Sequence, residues 1–305
     1  MTKSDLVVDS GLLLIDKPEG PSSAQVVHRV KVLLRAKKVG HLGTLDPFAS
    51  GLLLLGINEG TKVADIFLSA PKSYRGVMVL GVETDSQDAT GTILQVRPPP
   101  AMGKIELRDL ERQFSGDMLQ VPPMFSALKK QGVPLYRLAR QGKEVPREPR
   151  SIRVEKLRLH KLGNDEIEME LTCSRGTYVR TLAADMGKSL GCGAHLKSLR
   201  RIACGHLTVD QAITLDELER RDPKMPVPLL SLERTLDHLP AFTWQNQLLS
   251  RLRLGQQEIL RQLDEPFGGE KLARLLDPRG RLVALVEWIA GVPQSRWRLV
   301  RIFKV

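Results

Sequence analysis

Short apolar runs and amphipathic segments alternate along the chain in an irregular order. Leu12 to Ile15 is apolar and predicts a strand, and Ser22-Ser23 then predicts the cap of a helix. The apolar positions of this helix lie on one face: Val26, Val27, Val30, Leu33 and Leu34. The pattern then predicts a strand at Leu52 to Ile57, a helix at about Thr61 to Leu68 and a strand at about Tyr74 to Val82. These elements indicate a mixed α+β fold.

The second half of the chain continues the same mixture. Polar residues alternate with the apolar positions Ile167, Met169, Leu171 and Cys173, as in a half-buried strand. The segment from Gly176 then leads into a helix that ends near Leu190, with Gly191 as its C-cap. The pattern therefore predicts an α+β core with a largely antiparallel sheet.

A domain boundary is expected near Leu239-Pro240. It follows a proline-rich stretch (Pro223, Pro226 and Pro228) and a helix-like segment, Leu229 to Leu236. Beyond it, Leu272 to Leu276, a turn at Asp277 to Gly280 and Leu282 to Val286 predict a hairpin, and Trp297 to Val305 predicts a further strand. We therefore expect a first domain over 1–238 and a small β-rich domain over 240–305.

Charge is unevenly distributed along the 305 residues, which carry a net charge of +11. Residues 129–161 hold 11 basic against 3 acidic side chains, and residues 240–305 hold 11 against 6. Basic runs are usually solvated surface, yet two such patches beside a neutral body also match the electrostatic footprint of a polyanionic partner. We expect that partner to be a nucleic acid.

The first basic patch overlaps a segment, about 121–150, that is interrupted by proline and glycine. Prolines and glycines separate its cations and its aromatics Phe125 and Tyr136, which opposes long helices or strands. The cations of this segment are Lys129, Lys130, Arg137, Arg140, Lys143, Arg147 and Arg150. The segment is predicted to be an insertion that leaves the body of the domain.

Cysteine usage and hydropathy exclude several classes of protein. Cys173, Cys192 and Cys204 form no Cys-x-x-Cys pair, so neither a disulfide framework nor a zinc site is indicated. Cys192 with His195 and His206 matches no familiar ligand spacing. The apolar run at Leu12 is too short to span a bilayer, and Asp5 and Asp9 do not suit a signal peptide. A cytoplasmic protein without metal or cofactor is expected.

The stretch from Gly40 to Gly51 is the strongest candidate for chemistry. It frames one carboxylate, Asp46, with three glycines, Gly40, Gly43 and Gly51, which favour backbone conformations closed to other residues. Pro47 fixes its own φ and restricts Asp46 to an extended conformation. An Asp before Pro can equally be a simple turn or helix cap. A presented carboxylate suits nucleophilic catalysis.

The whole string, Gly-His-Leu-Gly-Thr-Leu-Asp-Pro-Phe-Ala-Ser-Gly followed by Leu52, resembles the signature loop of the bacterial tRNA pseudouridine-55 synthases, the TruB family. The resemblance implies a fold of pseudouridine-synthase type, a mobile thumb-like insertion that closes on the T arm of tRNA, and a C-terminal PUA-like RNA-binding domain. The run Pro122 to Lys129 fits the beginning of that insertion. RNA-guided relatives share the loop but have longer charged tails. A stand-alone monomeric enzyme without guide RNA is therefore expected.

The resemblance also implies the catalytic residues. Isomerising uridine requires the C1′–N1 bond to break, the base to turn and a C1′–C5 bond to form, with Asp46 as the nucleophile at C1′ or at the uracil ring. Arg180, in a Gly-Thr-Tyr-x-Arg string, would be its ion-pair partner. Tyr74 would stack on the flipped base and take its C5 proton. By local pattern alone, Arg180 would be a surface residue and Tyr74 an ordinary core tyrosine.

Further substrate-binding residues follow from the same resemblance. Tyr178 and Leu199 would pack on the base, and His41 would fill the space that the flipped nucleotide leaves. Lys17, before Pro18, would support the active-site loop, and Lys62 would reach a phosphate. Arg140 of the insertion would contact RNA.

Two alternatives remain open at this stage. A non-catalytic RNA chaperone would use the two basic patches without Asp46. A metal hydrolase would use Glu83, Asp85 and Asp88, although this acidic loop more simply caps a hairpin.

Overall fold

The computed structural model describes residues 9–222, 224–266, 270–291 and 295–304. Its strands are β1 (Gly11–Lys17), β2 (Val39–His41), β3 (Ser50–Ile57), β4 (Lys72–Leu80), β5 (Val82–Thr84), β6 (Ile93–Val96), β7 (Gly116–Gln120), β8 (Lys129–Lys130), β9 (Val133–Pro134), β10 (Arg150–Lys161), β11 (Glu166–Cys173), β12 (Ala194–Cys204), β13 (Leu207–Thr208), β14 (Ile213–Thr214), β15 (Ala241–Thr243), β16 (Leu272–Leu276), β17 (Leu282–Ile289) and β18 (Arg296–Ile302). Asp5, Pro223 and Val305 lie outside the described residues.

The helices are α1 (Ser23–Leu34), α2 (Ala64–Ser69), α3 (Lys104–Gln113), α4 (Leu135–Ala139), α5 (Val179–Ser189), α6 (Leu215–Arg220), α7 (Leu232–Thr235) and α8 (Asn246–Arg253). Short 3₁₀ turns cover Asn58–Val63, Val209–Gln211 and Gln257–Gln262. No helix in the described ranges is long and apolar enough to cross a bilayer.

A mixed sheet forms the body of the molecule, with the strand order β14-β1-β3-β12-β4-β11-β10-β7 and with β2 on β3 and β13 on β12. The pairs β1/β14 and β3/β12 are parallel, and the other pairs are antiparallel. The predicted α+β class with a largely antiparallel sheet is therefore confirmed.

Strand β3 is buried on both faces because helices and loops cover both sides of the sheet. Leu53 and Leu55 join the core that includes α1 and α5, whereas Leu52 and Leu54 join a second core on the opposite face. Side chains alternate between faces along a strand, so a run of four leucines fills two cores at once.

The predicted insertion leaves and re-enters the sheet at one point. β7 ends at Gln120, which pairs across the antiparallel ladder with Arg150, the first residue of β10. Between them the longest regular element is the five-residue helix α4. The segment therefore contains no long helix or strand, as its prolines and glycines predict.

The C-terminal part forms a separate four-stranded sheet in the order β15-β16-β17-β18. The predicted hairpin is present as β16 and β17, and the predicted last strand is β18. Leu282, Leu285 and Phe303 pack into the second core of the body. This sheet therefore rests against the face of the body opposite α1 and α5.

Two predicted helices differ from the observed elements. Thr61 to Leu68 spans a 3₁₀ turn and the short α2, which begins only at Ala64. In the segment Leu229 to Leu236 only α7 is helical, because Leu230 pairs with Leu12 of β1 through two backbone hydrogen bonds of 2.9 and 2.8 Å. The neighbouring strand edge thus overrides the local helical preference.

Candidate active site

The Asp46 loop joins β2 to β3 at the centre of the sheet. Gly43 and Gly51 have φ values of +146° and +97°, as the predicted role of glycine requires. A Cβ at Gly51 would lie 2.3 Å from the Arg201 carbonyl oxygen, so a side chain there is also sterically excluded. The prediction is wrong for Gly40, which lies in β2 and has no positive φ.

Two elements before the loop hold its backbone. The Ser23 hydroxyl accepts a hydrogen bond from Leu45 N–H and donates one to Leu45 C=O, both at 2.8 Å. The Lys17 side chain is fully buried, and its Nζ donates to the carbonyls of Pro18, Pro21 and Pro47. The residues on both sides of Asp46 are therefore fixed by β1 and α1.

A buried arginine that the sequence pattern did not reveal holds the loop from the other side. Arg201 of β12 is 2% exposed. Its guanidinium donates to the carbonyls of Leu52, Thr44 and Gly43 at 2.6, 3.3 and 3.1 Å. Arginine is almost never fully buried without a partner. Here the partners are three backbone carbonyls, so the buried guanidinium stabilises the backbone of the loop and of the strand that follows it.

Asp46 pairs with Arg180 at the mouth of a cavity. Arg180 Nε lies 2.8 Å from Asp46 Oδ2, and the exposed side-chain fractions are 4% for Arg180 and 37% for Asp46. Arg180 lies in the first turn of α5 and is not the surface residue that local pattern alone suggests. The guanidinium is thus inside the protein while the carboxylate faces open space.

The remaining donors of Arg180 bind other segments. Nη1 donates to Ser86 C=O at 2.7 Å and lies 3.5 Å from the buried carboxylate of Asp88, and Nη2 donates to Phe125 C=O at 2.9 Å. One guanidinium therefore connects the Asp46 loop, the β5–β6 hairpin and the beginning of the insertion. Its planar fork of donors suits this role.

The cavity beside Asp46 has a volume of about 170 Å³. The residues that line it are Thr44, Leu45, Asp46, Tyr74, Ser126, Ala127, Thr177, Tyr178, Val179, Arg180 and Leu199. Five of the predicted site residues are among them. Two aromatic rings and a leucine beside one ion pair combine apolar walls with a few converging polar groups, as is typical of ligand sites.

Tyr74 lies on β4 directly opposite Arg201 of β12. Burial raises the pKa of the Tyr74 phenol to about 12, and the positive charge of the nearby Arg201 guanidinium opposes this rise. The phenol is therefore protonated at neutral pH, and Arg201 favours its phenolate form. Arg201 thus contacts both the Asp46 loop and Tyr74.

Tyr178 is held at the N-terminus of α5 by the buried side-chain amide of Gln120. The amide accepts from Tyr178 N–H at 2.8 Å and donates to Tyr178 C=O at 3.1 Å. Burial raises the pKa of the Tyr178 phenol as well. Gln120 is a second supporting residue that the sequence did not single out.

Four predicted residues do not line the cavity. Lys17 lies beneath the loop, and His41 lies on β2, where its buried Nδ1 has no hydrogen-bond partner among the described residues. Arg140 is exposed on the insertion, 5.6 Å from the ring centre of Tyr136. Lys62 instead binds Glu59 Oε2 at 2.6 Å and Ile302 C=O at 2.7 Å, which joins the body to β18.

The acidic hairpin loop uses its carboxylates locally. Asp88 accepts hydrogen bonds from the hydroxyls of Ser86 and Thr90, and Asp85 accepts one from Thr92 N–H. Within the described ranges, the side chains close enough to share a metal ion are His206, Asp237 and His238, all exposed and none lining the cavity. His195 and Cys192 bind backbone carbonyls instead.

Comparisons with known proteins identify the relatives of this chain. A family model described as "TruB family pseudouridylate synthase (N terminal domain)" matches residues 31–179. Another, "tRNA pseudouridylate synthase B C-terminal domain", matches residues 180–238. The chain is 41% identical to tRNA pseudouridine synthase B of Geobacter sulfurreducens over 97% of its own length and 99% of that protein. The corresponding protein of Stutzerimonas stutzeri is also 41% identical, over 91% of each.

Solved structures share the fold at lower identity. A chain of a Cbf5-Nop10-Gar1 complex superposes with a TM-score of 0.70 at 23% identity, covering 96% of this chain and 84% of that one. An archaeal box H/ACA sRNP Nop10-Cbf5 complex gives 0.68 at 21% identity, with coverages of 100% and 88%. These neighbours support the predicted pseudouridine-synthase fold.

Proposed function

Because the chain belongs to the TruB family of pseudouridylate synthases, we propose that it converts the T-loop uridine at position 55 of tRNA to pseudouridine, with Asp46 as the nucleophile. The observation that carries the proposal is the Asp46–Arg180 pair at a cavity walled by Tyr74, Tyr178 and Leu199. The Arg180 guanidinium holds the Asp46 carboxylate in place, and a carboxylate that is presented to a cavity can act as a nucleophile.

The reaction is an isomerisation, so its atoms balance without a co-reactant. Asp46 attacks C1′ or the uracil ring, the C1′–N1 bond breaks, and the base turns in the cavity. C5 then bonds to C1′, the carboxylate leaves, the C5 proton departs and N1 gains a proton. Metal and redox chemistry have no step to perform in this sequence.

The other cavity residues would bind the flipped base. Extruding a base from a structured loop requires a pocket that replaces its stacking. Tyr74 would stack on the uracil and take the C5 proton, and because its phenol is protonated at neutral pH, it would give up its own proton in the same step. Tyr178 and Leu199 would form the opposite walls. His41, whose Nδ1 makes no hydrogen bond to any described residue, would contact nucleotides displaced by the flip.

The surrounding regions would bind the rest of the tRNA T arm. The exposed cations of the insertion, Arg140 among them, would contact phosphates, and the C-terminal sheet would act as a PUA-like RNA-binding domain. Lys17 would act by supporting the loop. Lys62 is not proposed to bind a phosphate, because its ammonium group donates to the Glu59 carboxylate and to the Ile302 carbonyl. The enzyme would work in the cytoplasm as a monomer without guide RNA.

Tritium release from C5-tritiated uridine in a tRNA transcript tests the proposal, with mass mapping of the modified position. We expect one equivalent of release per tRNA and a single pseudouridine in the T loop. A transcript with cytidine at that position should release nothing from the site. Pseudouridine elsewhere, or none at all, would contradict the proposal.

A further inference from the structure

The Ser126 hydroxyl is a buried polar group in the cavity wall that lacks a partner. Ser126 is 5% exposed, and its Oγ makes no hydrogen bond within the described residues. It lies at the beginning of the insertion and lines the cavity beside Asp46. Buried hydroxyls nearly always have a partner, so this one indicates a hydrogen-bonding group that arrives with a ligand.

The backbone around Ser126 is fixed with respect to the catalytic pair. Ser126 N–H donates to Met124 C=O at 2.9 Å, and Ser126 C=O accepts from Tyr136 N–H at 3.1 Å. The preceding carbonyl, that of Phe125, accepts from Arg180 Nη2. Arg180 in turn holds Asp46, so the position of the hydroxyl is set by the same guanidinium that sets the nucleophile.

The other hydroxyl groups near Ser126 in the cavity differ from it in their surroundings. The Thr177 hydroxyl donates to Ser174 C=O at 3.0 Å, and the Tyr74 phenol lies close to the Arg201 guanidinium. The Tyr178 phenol lies close to Ser126 Oγ, but the pair does not meet hydrogen-bond geometry. Among the described residues that line the cavity, Ser126 Oγ is therefore the buried side-chain atom that makes no hydrogen bond.

We propose that Ser126 Oγ–H donates a hydrogen bond to a carbonyl oxygen of the flipped uracil and holds the detached base while it turns. This inference rests on the proposed function. Turning uracil about its N3–C6 axis exchanges N1 with C5 and also exchanges the C2 and C4 carbonyls. One donor beside the ring therefore meets a carbonyl oxygen before and after the turn. Ser126 would be a substrate-binding residue rather than a part of the insertion's framework.

A double-mutant cycle, in which one change is made in the enzyme and the other in the target uridine, tests this contact. Pseudouridine formation is assayed for the wild type, for Ser126→Ala and for the control Ser115→Ala. The Ser115 hydroxyl donates to the Glu111 carbonyl on α3. The tRNA transcripts carry uridine, 2-thiouridine or 4-thiouridine at the target. Sulfur accepts hydrogen bonds weakly. With uridine at the target, Ser126→Ala should lower kcat/KM about tenfold and leave the affinity for tRNA near that of the wild type. The kcat/KM of Ser115→Ala should stay near that of the wild type.

The decisive result is the coupling between the two changes. At least one thio substitution should slow the wild type and Ser115→Ala several-fold more than it slows Ser126→Ala, because the alanine variant has no bond left to weaken. Equal thio effects in all three proteins would overturn the contact and leave Ser126 a structural residue. Absence of pseudouridine in the wild-type reaction would instead overturn the proposed function and this inference with it.

Discussion

Arg180 Nε lies 2.8 Å from Asp46 Oδ2, and this ion pair joins residues 134 positions apart in the chain. The two partners differ in environment, because Arg180 is buried in the first turn of α5 while more than a third of the Asp46 side chain is exposed. Every nitrogen of the guanidinium makes a hydrogen bond. The carboxylate is thus held firmly on one side and presented on the other.

Removing the Arg180 cation should destabilise the fold as well as the site. Arg180→Met would leave the buried Asp88 carboxylate without its nearby cation, and breaking a buried pair from one side costs about 3–5 kcal/mol. Denaturant unfolding should show this loss. Arg112→Met, which removes an exposed pair with Asp109, should change the free energy of unfolding by less than about 1 kcal/mol. Equal effects of the two variants would contradict the assigned role.

The Tyr74 phenol should titrate apart from the other tyrosines. The chain has 3 tyrosines, so their Cζ signals can be assigned by carbon NMR with Tyr→Phe variants. Tyr74 should stay protonated at pH 10 and titrate near its pKa of about 12. Arg201→Met should raise this pKa further, because the lost cation favours the phenolate. A Tyr74 that titrates at the ordinary value of 10 would refute this picture.

Lys17 should make stability depend on pH in the alkaline range. Burial lowers the pKa of its ammonium from 10.5 to about 8 in the folded protein. Below pH 8 both states bind the proton. Between about 8 and 10.5 only the unfolded chain holds it, so this group makes the free energy of unfolding rise with pH.

The comparison with Lys17→Met isolates that contribution. Denaturant unfolding at pH 7 to 10 should show that the variant lacks the contribution of Lys17 to the rise of the unfolding free energy with pH. The difference in unfolding free energy between the two proteins should therefore change steadily with pH. Parallel curves for the two proteins would mean that Lys17 keeps its proton in the folded state.

The insertion should contribute to tRNA affinity through charge. Replacing the exposed Arg137, Arg140 and Lys143 by Gln should weaken binding and lower the salt dependence by up to about one unit of slope per lost phosphate contact. Arg108→Gln on the exposed face of α3 serves as the control. Unchanged affinity in the triple variant would exclude the insertion from binding.

The same triple variant separates an enzyme from an RNA chaperone. A chaperone alone would lose its function with these charges and keep it in Asp46→Asn. The proposed enzyme should instead lose turnover in Asp46→Asn while its tRNA binding is retained.

Local patterns predicted much of the fold but few of the supporting contacts. Alternating residues identified β11, and the apolar run identified β3, because strand periodicity is a local property. The Asp46 loop, Tyr74 and Arg180 were found through a long motif resemblance. The burial of Arg201 could not be read from the sequence, since it depends on the parallel pairing of β3 with β12. Carbonyls distant in sequence supply its partners.

Two other residues show the same limit. Gln120 and Ser126 are polar residues beside prolines that no local pattern singled out. Both are buried, Ser126 in the cavity wall and Gln120 against the backbone of Tyr178. Their roles appear only when the insertion folds back onto α5. The phosphate role of Lys62 came from the motif resemblance. In the structure its ammonium group instead binds Glu59 and the carbonyl of Ile302 on β18, 240 positions away.

Tritium release by Asp46→Asn is the most direct test of the central claim. The substitution keeps the size of the side chain and removes its charge, so tRNA affinity should stay within about twofold of wild type. No release above background should occur from C5-tritiated tRNA, whereas Asp109→Asn, which changes an exposed carboxylate on α3, should release tritium like the wild type. Wild-type release by Asp46→Asn would contradict the account.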